Sequence, residues 1–104
     1  MLGIRRYRGA SIDLWQGDTR SFVRDFTARA TLASLAESDR LGHRHVVIEG
    51  EPGAASEALT VVKEFLLGSR ATPTVKRITF VLSDSDVYTA YQQELFSRFP
   101  DEDH

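Results

Sequence analysis

The first residues that could do chemistry are His43 and His45, which are separated by a single residue. On a strand they would project to the same side, with Glu49 further along that face. Imidazole and carboxylate groups bind zinc, but a zinc site needs at least three protein ligands. No cluster elsewhere in the sequence supplies a clear third ligand. The pattern therefore favours solvated side chains at the start of a strand, and we expect no metal site.

Asp18 and the segment Gly50–Gly53 are candidates for ligand binding. The segment leads into a predicted helix, so its amide groups and the helix dipole are suited to an anion, and Ser56 adds a hydroxyl. Against this, Glu51 brings a negative charge and Pro52 removes an amide donor. Asp, Gly and Pro are also the usual residues of turns, so structural turns explain the same residues.

Nucleophilic catalysis has little support in this sequence. The chain contains no cysteine, which also excludes disulfides and thiolate metal sites, and it has no Gly-x-Ser-x-Gly motif. The paired carboxylates Asp84 and Asp86 lie at a predicted helix start, where the helix dipole favours them without any catalytic role. We therefore predict no catalytic residue and no cofactor.

Composition favours an ordinary globular protein. The chain has 104 residues, of which 41% are hydrophobic and 27% charged. Its net charge of -2 predicts no broad attraction to nucleic acid or anionic membranes. No apolar run is long enough for a membrane span or a signal peptide. We expect one domain over residues 1–104, and lack of cysteine is compatible with a cytoplasmic location.

The two ends of the chain carry opposite charges. Arg5, Arg6 and Arg8 cluster near the start, and residues 101–103 are acidic. Short charge runs of this kind are usually solvated. The alternative is a basic edge that meets an anionic ligand or a neighbouring subunit.

The candidate residues depend on strands and helices that the apolar spacing predicts. The β-branched and apolar runs His45–Glu49 and Ile78–Leu82 predict buried strands, and Ile12–Trp15 predicts a half-buried one. Strands alternating with helices predict an α/β fold with a mainly parallel sheet.

Helices are expected at about 27–41, 54–67 and 85–98. In the second, Val62 and Phe65 belong to an apolar face that should pack on the sheet, and either Ser83 or Asp84 is suited to cap the third. The interval 19–26 fits a helical turn, another strand or an early start of the first helix, because periodicity does not separate these over so short a span.

Several of these segments together resemble a macro domain, a fold that typically binds ADP-ribose. The run from Glu57 to Leu66 resembles the helix that follows the family's phosphate loop. Residues 78–84 and 87–95 resemble the next strand with its acidic turn and the last helix, and Gln16–Thr19 resembles the opening Gly-Asp motif. The resemblance implies a three-layer α/β/α arrangement with a mainly parallel sheet.

The resemblance also implies a set of ligand-binding residues. Asp18 matches an aspartate that accepts a hydrogen bond from the adenine amino group, and residues 50–53 match a shortened phosphate loop. Ser83 stands where many members place an aromatic ring against adenine. The ligand-binding residues expected on this basis are Asp18, Gly50, Glu51, Gly53, Ser56 and Ser83.

The departures from the family concern catalysis. The asparagine-rich strand end and the glycine-rich loop of the family have no counterpart, and the chain contains no asparagine. The prediction is therefore a reduced, non-catalytic macro-like domain that weakly binds ADP-ribose, a related nucleotide or phosphate. The alternative is a protein-interaction or oligomeric scaffold domain that has lost the pocket, with a homo-oligomer as one form of it. Neither hypothesis includes a membrane or nucleic-acid partner.

Overall fold

The structure is a computed structural model that describes residues 4–7, 9–17, 28–68 and 74–99. The described strands are β1 (Ile4–Tyr7), β2 (Ala10–Gln16), β3 (Ala28–Ala30), β4 (His45–Glu49) and β5 (Arg77–Leu82). The described helices are α1 (Leu35–Arg40), which follows a short 3-10 helix at Leu32–Ser34, α2 (Ala55–Gly68) and α3 (Ser85–Arg98).

The described strands form one mixed sheet in the order β1-β2-β5-β4-β3. Strands β2, β5, β4 and β3 are parallel to their neighbours, and β1 adds an antiparallel edge next to β2. The predicted mainly parallel sheet, containing the three predicted strands, is therefore confirmed. Parallel strands end at the same edge of a sheet, so the residues that follow β2, β4 and β5 lie close together.

One face of the sheet is apolar and carries the helices. Ile12, Ile78 and Val46 lie side by side in the strand register, as do Leu14, Phe80 and Ile48. These six residues belong to one buried core with helix side chains, namely Leu35 of α1, Leu59 and Val62 of α2, and Tyr91 and Leu95 of α3. All three described helices thus cover the same face, because residues two apart on a strand share a face.

The opposite face of the central strands is partly polar. Asp13, Thr79 and Val47 are register partners on this face, and all three are buried. No helix in the described part of the chain packs there. The α/β class is established, whereas the three-layer arrangement expected from the macro resemblance stays a prediction.

Two aspartate side chains form hydrogen bonds that position helices α3 and α1. Asp84 caps α3, since its Oδ1 accepts a hydrogen bond of 3.0 Å from the Val87 amide. In α1, Asp39 Oδ1 accepts from the amides of Thr74 and Val75 at 2.6 and 3.0 Å. This carboxylate therefore ties α1 to the segment that enters β5.

The helix predicted at about 27–41 is wrong in its first part. Residues Ala28–Ala30 form strand β3, which pairs in parallel with β4, and α1 begins only at Leu35. Alanine is a strong helix former, but intrinsic propensities are small in energy, so hydrogen bonding to the edge of a sheet overrides this preference. The interval 19–26, which was compatible with several structures, lies outside the described residues.

The other two predicted helices are confirmed within a few residues. Val62 is fully buried against the sheet, as expected, and so are Tyr91 and Leu95 of α3. Phe65 packs against the same core but is only partly buried, and the adjacent Leu66 takes the fully buried position. Among the residues with described structure, no helix is long and apolar enough to cross a bilayer.

We expect Leu66→Ala to lower the free energy of unfolding by about 2–5 kcal/mol, because it leaves a cavity in the core. Leu66 is 1% exposed, whereas its neighbour Leu67 is 51% exposed. Leu67→Ala is the matched control and should change stability by less than about 0.5 kcal/mol. Urea unfolding followed by circular dichroism measures both, and equal losses in the two variants would contradict the placement of α2.

Candidate functional site

Two clefts open at the edge of the sheet where the parallel strands end. The first, which we call the strand-end cleft, has a volume of about 510 Å³. The ends of β2, β4 and β5 form it, and its lining residues are Gly17, Glu49, Gly50, Glu51, Pro52, Val81 and Ser83. Open parallel sheets bind ligands at this edge.

The second, which we call the helix-side cleft, is larger, at about 720 Å³. It lies between the ends of β3 and β4, the segment 31–34 and the start of α2. Phe80 and Tyr91 border it from within the core, where both side chains are at most 1% exposed and their ring centroids are 5.4 Å apart. The two clefts share Glu49 and Glu51.

Hydrogen bonds hold the loop between β4 and α2 in place at the boundary of the two clefts. The Gly50 amide donates to the Val81 carbonyl at 2.9 Å, and the Tyr91 hydroxyl donates to the Glu51 carbonyl at 3.0 Å. Burial raises the pKa of the Tyr91 hydroxyl, so this group keeps the proton that it donates. The loop is therefore tied to β5 on one side and to α3 on the other.

Gly50 is required by close packing. A Cβ at this position would lie 2.3 Å from Leu82 Cδ2 and 3.0 Å from Tyr91 Cζ. The 2.3 Å distance is far shorter than a normal carbon contact, so an alanine would force the buried Leu82 side chain, the Tyr91 ring or the strand end to shift. Packing against Leu82 and Tyr91 therefore explains why Gly50 is a glycine, without any role in a phosphate loop.

The electrostatics of the clefts disfavour anions. Glu49, Glu51 and Glu57 line the helix-side cleft, and the first two also line the strand-end cleft. Among the residues that the structure describes, neither set of lining residues contains a lysine or an arginine. Two loop amides are also unavailable to a phosphate, since Gly50 donates to Val81 and Pro52 has no N–H.

The structure brings together only part of the site predicted from sequence. Gly50, Glu51 and Ser83 meet in the strand-end cleft. Gly53 and Ser56 line neither cleft: Gly53 is an exposed turn residue with φ +79°, and the Ser56 hydroxyl accepts a 2.8 Å hydrogen bond from Arg98. Asp18 lies outside the described residues, so its predicted contact with a ligand stays a prediction.

Two cleft residues were not recognised as such in the sequence. Phe80 belongs to a predicted buried strand and Tyr91 to a predicted helix; both are fully buried, and they lie directly behind the lining of the helix-side cleft. Apolar periodicity gives no signal for this second role, because a core residue and a pocket residue occupy the same positions on an element. The hydroxyl of Tyr91 was the only available hint, since a buried tyrosine hydroxyl needs a partner.

A separate polar cluster crosses three strands on the face opposite the helices. The Thr79 hydroxyl donates to Asp13 Oδ1 at 2.7 Å, and Arg77 donates to Asp13 Oδ2 at 2.8 Å. His45 Nε2 lies 2.8 Å from the same Thr79 oxygen. Because the hydroxyl proton already points to Asp13, the histidine is the donor and carries a proton on Nε2.

This cluster is structural in character. Thr79 is fully buried, so its hydroxyl is not accessible to a substrate. Hydrogen bonding to Asp13 raises the pKa of Arg77, while burial and the nearby Arg77 charge lower the pKa of His45. His43 is exposed and does not join the cluster. Within the described ranges, no group of His, Cys, Asp and Glu side chains is arranged to bind a metal ion.

No protein-family model matches this chain, and no curated protein matches it at a significant level. The resemblance to macro domains therefore rests on the sequence motifs alone.

We expect Gly50→Ala to lower the free energy of unfolding by about 1–3 kcal/mol, since the added methyl group overlaps Leu82. Gly68→Ala is the matched control, because a Cβ there meets nothing within 4 Å. That control should leave stability unchanged or raise it slightly, as alanine is the better helix residue. Thermal unfolding measures both, and a neutral Gly50→Ala would show that the strand end is not tightly packed.

We expect acid to destabilise the fold through His45. Its folded-state pKa lies below the ordinary 6.5, so the unfolded chain binds more protons as the pH falls below 6.5. Stability should therefore be constant above about pH 7.5 and begin to decrease as the pH falls through 6.5. Urea unfolding between pH 8 and 5.5, roughly the range in which histidine titrates, measures this.

The substitution His45→Gln should flatten that pH dependence, because glutamine does not titrate. His43→Gln is the matched control and should leave the slope as in the wild type, since His43 is exposed. If the two variants kept the same slope, the pH dependence would not originate in the cluster around Thr79.

Proposed function

We propose that this chain is a non-catalytic, macro-like binding domain that holds a ribose-containing nucleotide of the ADP-ribose class weakly at the carboxyl ends of its parallel strands. One observation carries the proposal: Gly50, Glu51 and Ser83, chosen from the sequence as ligand contacts, line the same cleft. The three-layer arrangement of that family and a cytoplasmic location belong to the same proposal.

The shape of the site supports a small organic ligand. The helix-side cleft has a volume of about 720 Å³, which lies in the range of small-molecule sites. The partly exposed Ala30, Leu32 and Ala54 give it an apolar lining, and the carboxylates of Glu49, Glu51 and Glu57 lie beside them. Sites of this kind combine an apolar wall with a few polar groups that orient the ligand.

The charge of the site selects which part of a nucleotide it contacts. Carboxylates accept hydrogen bonds from ribose hydroxyls, as acidic residues do in dinucleotide-binding folds. The same carboxylates repel a pyrophosphate, and the described residues that line the two clefts include no cation to offset this. The proposed ligand therefore places its sugar near Glu49 and Glu51 and leaves its phosphates in solvent, and inorganic phosphate alone is disfavoured.

We expect adenosine to bind at least as tightly as ADP-ribose, and inorganic phosphate not to bind at millimolar concentration. Amide chemical shifts in nuclear magnetic resonance titrations should move at Gly50, Glu51 and Ser83. Glu51→Gln should tighten ADP-ribose binding roughly twofold to fivefold, the effect of removing one exposed like charge, and change adenosine binding much less.

Glu64→Gln is the matched control, because Glu64 is exposed on α2 and lines neither cleft. It should leave both affinities as in the wild type. The absence of any shift with millimolar adenosine or ADP-ribose would overturn the proposal. Turnover of an ADP-ribosylated substrate, abolished by Glu51→Gln, would overturn its non-catalytic part.

A second candidate function is that of a protein-interaction or oligomeric scaffold domain. The observation that favours it is the antiparallel edge strand β1, because the sheet continues no further on that side in the described chain. An edge strand offers backbone donors and acceptors to another chain.

A further inference from the structure

Strand β1 lies at the end of the sheet and is paired with β2 along its length. No other described strand lies on its second side. Ile4 is 41% exposed and Arg6 is exposed as well. Within the described residues, this side of β1 is therefore unpaired.

The register shows which backbone groups of β1 point away from the sheet. Arg6 lies opposite Ser11 of β2, and the Ser11 amide donates to the Lys76 carbonyl at 2.8 Å, on the β5 side. Because Ser11 is turned away from β1, the pair is a non-hydrogen-bonded one. The N–H and C=O of Arg6 therefore face the open edge, and those of Ile4, two residues earlier, face the same way.

The other two residues of β1 hold the strand against α3. The Arg5 guanidinium lies 3.8 Å from the centre of the Phe96 ring, and the rings of Tyr7 and Phe99 make an edge contact at 5.2 Å. A cation over an aromatic ring and an edge-to-face ring pair are both attractive. Arg5 and Tyr7 therefore anchor one face of β1, and the side chains of Ile4 and Arg6 project from its opposite face.

We propose that β1 binds an extended acidic peptide segment of a partner protein as an additional strand of the sheet. This rests on the second candidate function and names the class of partner. Main-chain hydrogen bonds to the N–H and C=O of Arg6 and to the N–H of Ile4 provide attachment, as in other proteins that bind peptides by adding a strand. The Ile4 carbonyl already accepts a 3.0 Å hydrogen bond from Arg5 Nη1. The Arg6 charge selects a carboxylate directly opposite, and Ile4 selects an apolar side chain two residues away.

The same charges disfavour two antiparallel registers of β1 with a second copy of this chain. One register sets Arg6 against Arg6, and the next sets Ile4 against Arg6 and Arg5 against Arg5. Both place like charges directly opposite each other, which is destabilising. A third register, with Ile4 against Ile4, has no such pair within β1, so the oligomeric state is also measured. A partner with a carboxylate opposite Arg6 forms an attractive pair instead.

The test uses two capped hexapeptides, Thr-Thr-Glu-Thr-Val-Thr and the same peptide with Lys in place of Glu, titrated into the full chain. We expect amide shifts at Ile4, Arg6 and Tyr7, and roughly fivefold tighter binding of the Glu peptide, which is the size of one cross-strand charge pair. Raising the salt concentration should reduce that difference.

Three variants define the contact. Arg6→Glu should reverse the peptide preference, and Arg44→Glu, which makes the same charge change at an exposed position before β4, should not. Arg6→Pro removes the outward N–H and should abolish binding of both peptides, while an edge strand tolerates this proline because β2 does not use that N–H. Melting curves verify that each variant folds, and Arg6→Glu remains informative if Arg6→Pro does not.

Equal binding of the two peptides, or an unchanged preference in Arg6→Glu, would overturn the proposal. So would a dimer in light scattering that Arg6→Pro disrupts, because a second copy would then occupy the edge. The peptide is read at the amides of β1 and the nucleotide at those of Gly50 and Ser83. Failure of one proposal is therefore distinguishable from failure of the other.

Discussion

Strand β5 is the element on which the rest of the sheet depends, because β2 pairs with one side of it and β4 with the other. It is buried on both faces, with Ile78 and Phe80 in the helix-covered core and Thr79 in the polar cluster. Parallel pairing in a fixed register aligns the ends of the three strands. The clefts form because the chain leaves these three strands at the same edge of the sheet. A shift of β5 by one residue would turn each of its side chains to the wrong face of the sheet.

The parts of the fold that follow from sequence are those with strong apolar spacing. β4 and β5 are continuous apolar runs, and α2 and α3 have helical periodicity, so burial dictates their form. β1 gives no such signal, since Ile4 and Tyr7 flank two arginines and its stability comes from pairing with β2 and contact with α3. The short β3 contains alanines, whose intrinsic preference is for a helix. It is a strand because it pairs with β4.

The sequence predicted the candidate site only for those residues that directly follow a recognisable strand. Gly50, Glu51 and Ser83 each follow a strand recognisable in the sequence, so their meeting at one edge follows from parallel topology. What sequence did not show is the reason for Gly50, which depends on the distance between a strand end and Tyr91. The acidic character of the clefts also required the structure, because Glu49 and Glu57 lie on different elements and come together only across the loop between them.

The position of β2 between β1 and β5 also affects the order in which the protein is assembled. Its antiparallel partner is adjacent in sequence, but its parallel partner begins 66 residues after Ser11, at Arg77. During synthesis β1 and β2 therefore emerge from the ribosome long before β5, and a two-stranded hairpin by itself is only marginally stable. Pairings between residues this distant close late and slow the folding of small α/β proteins. The nascent chain must keep one side of β2 unpaired through most of its translation, and that interval is when it is most exposed to aberrant association.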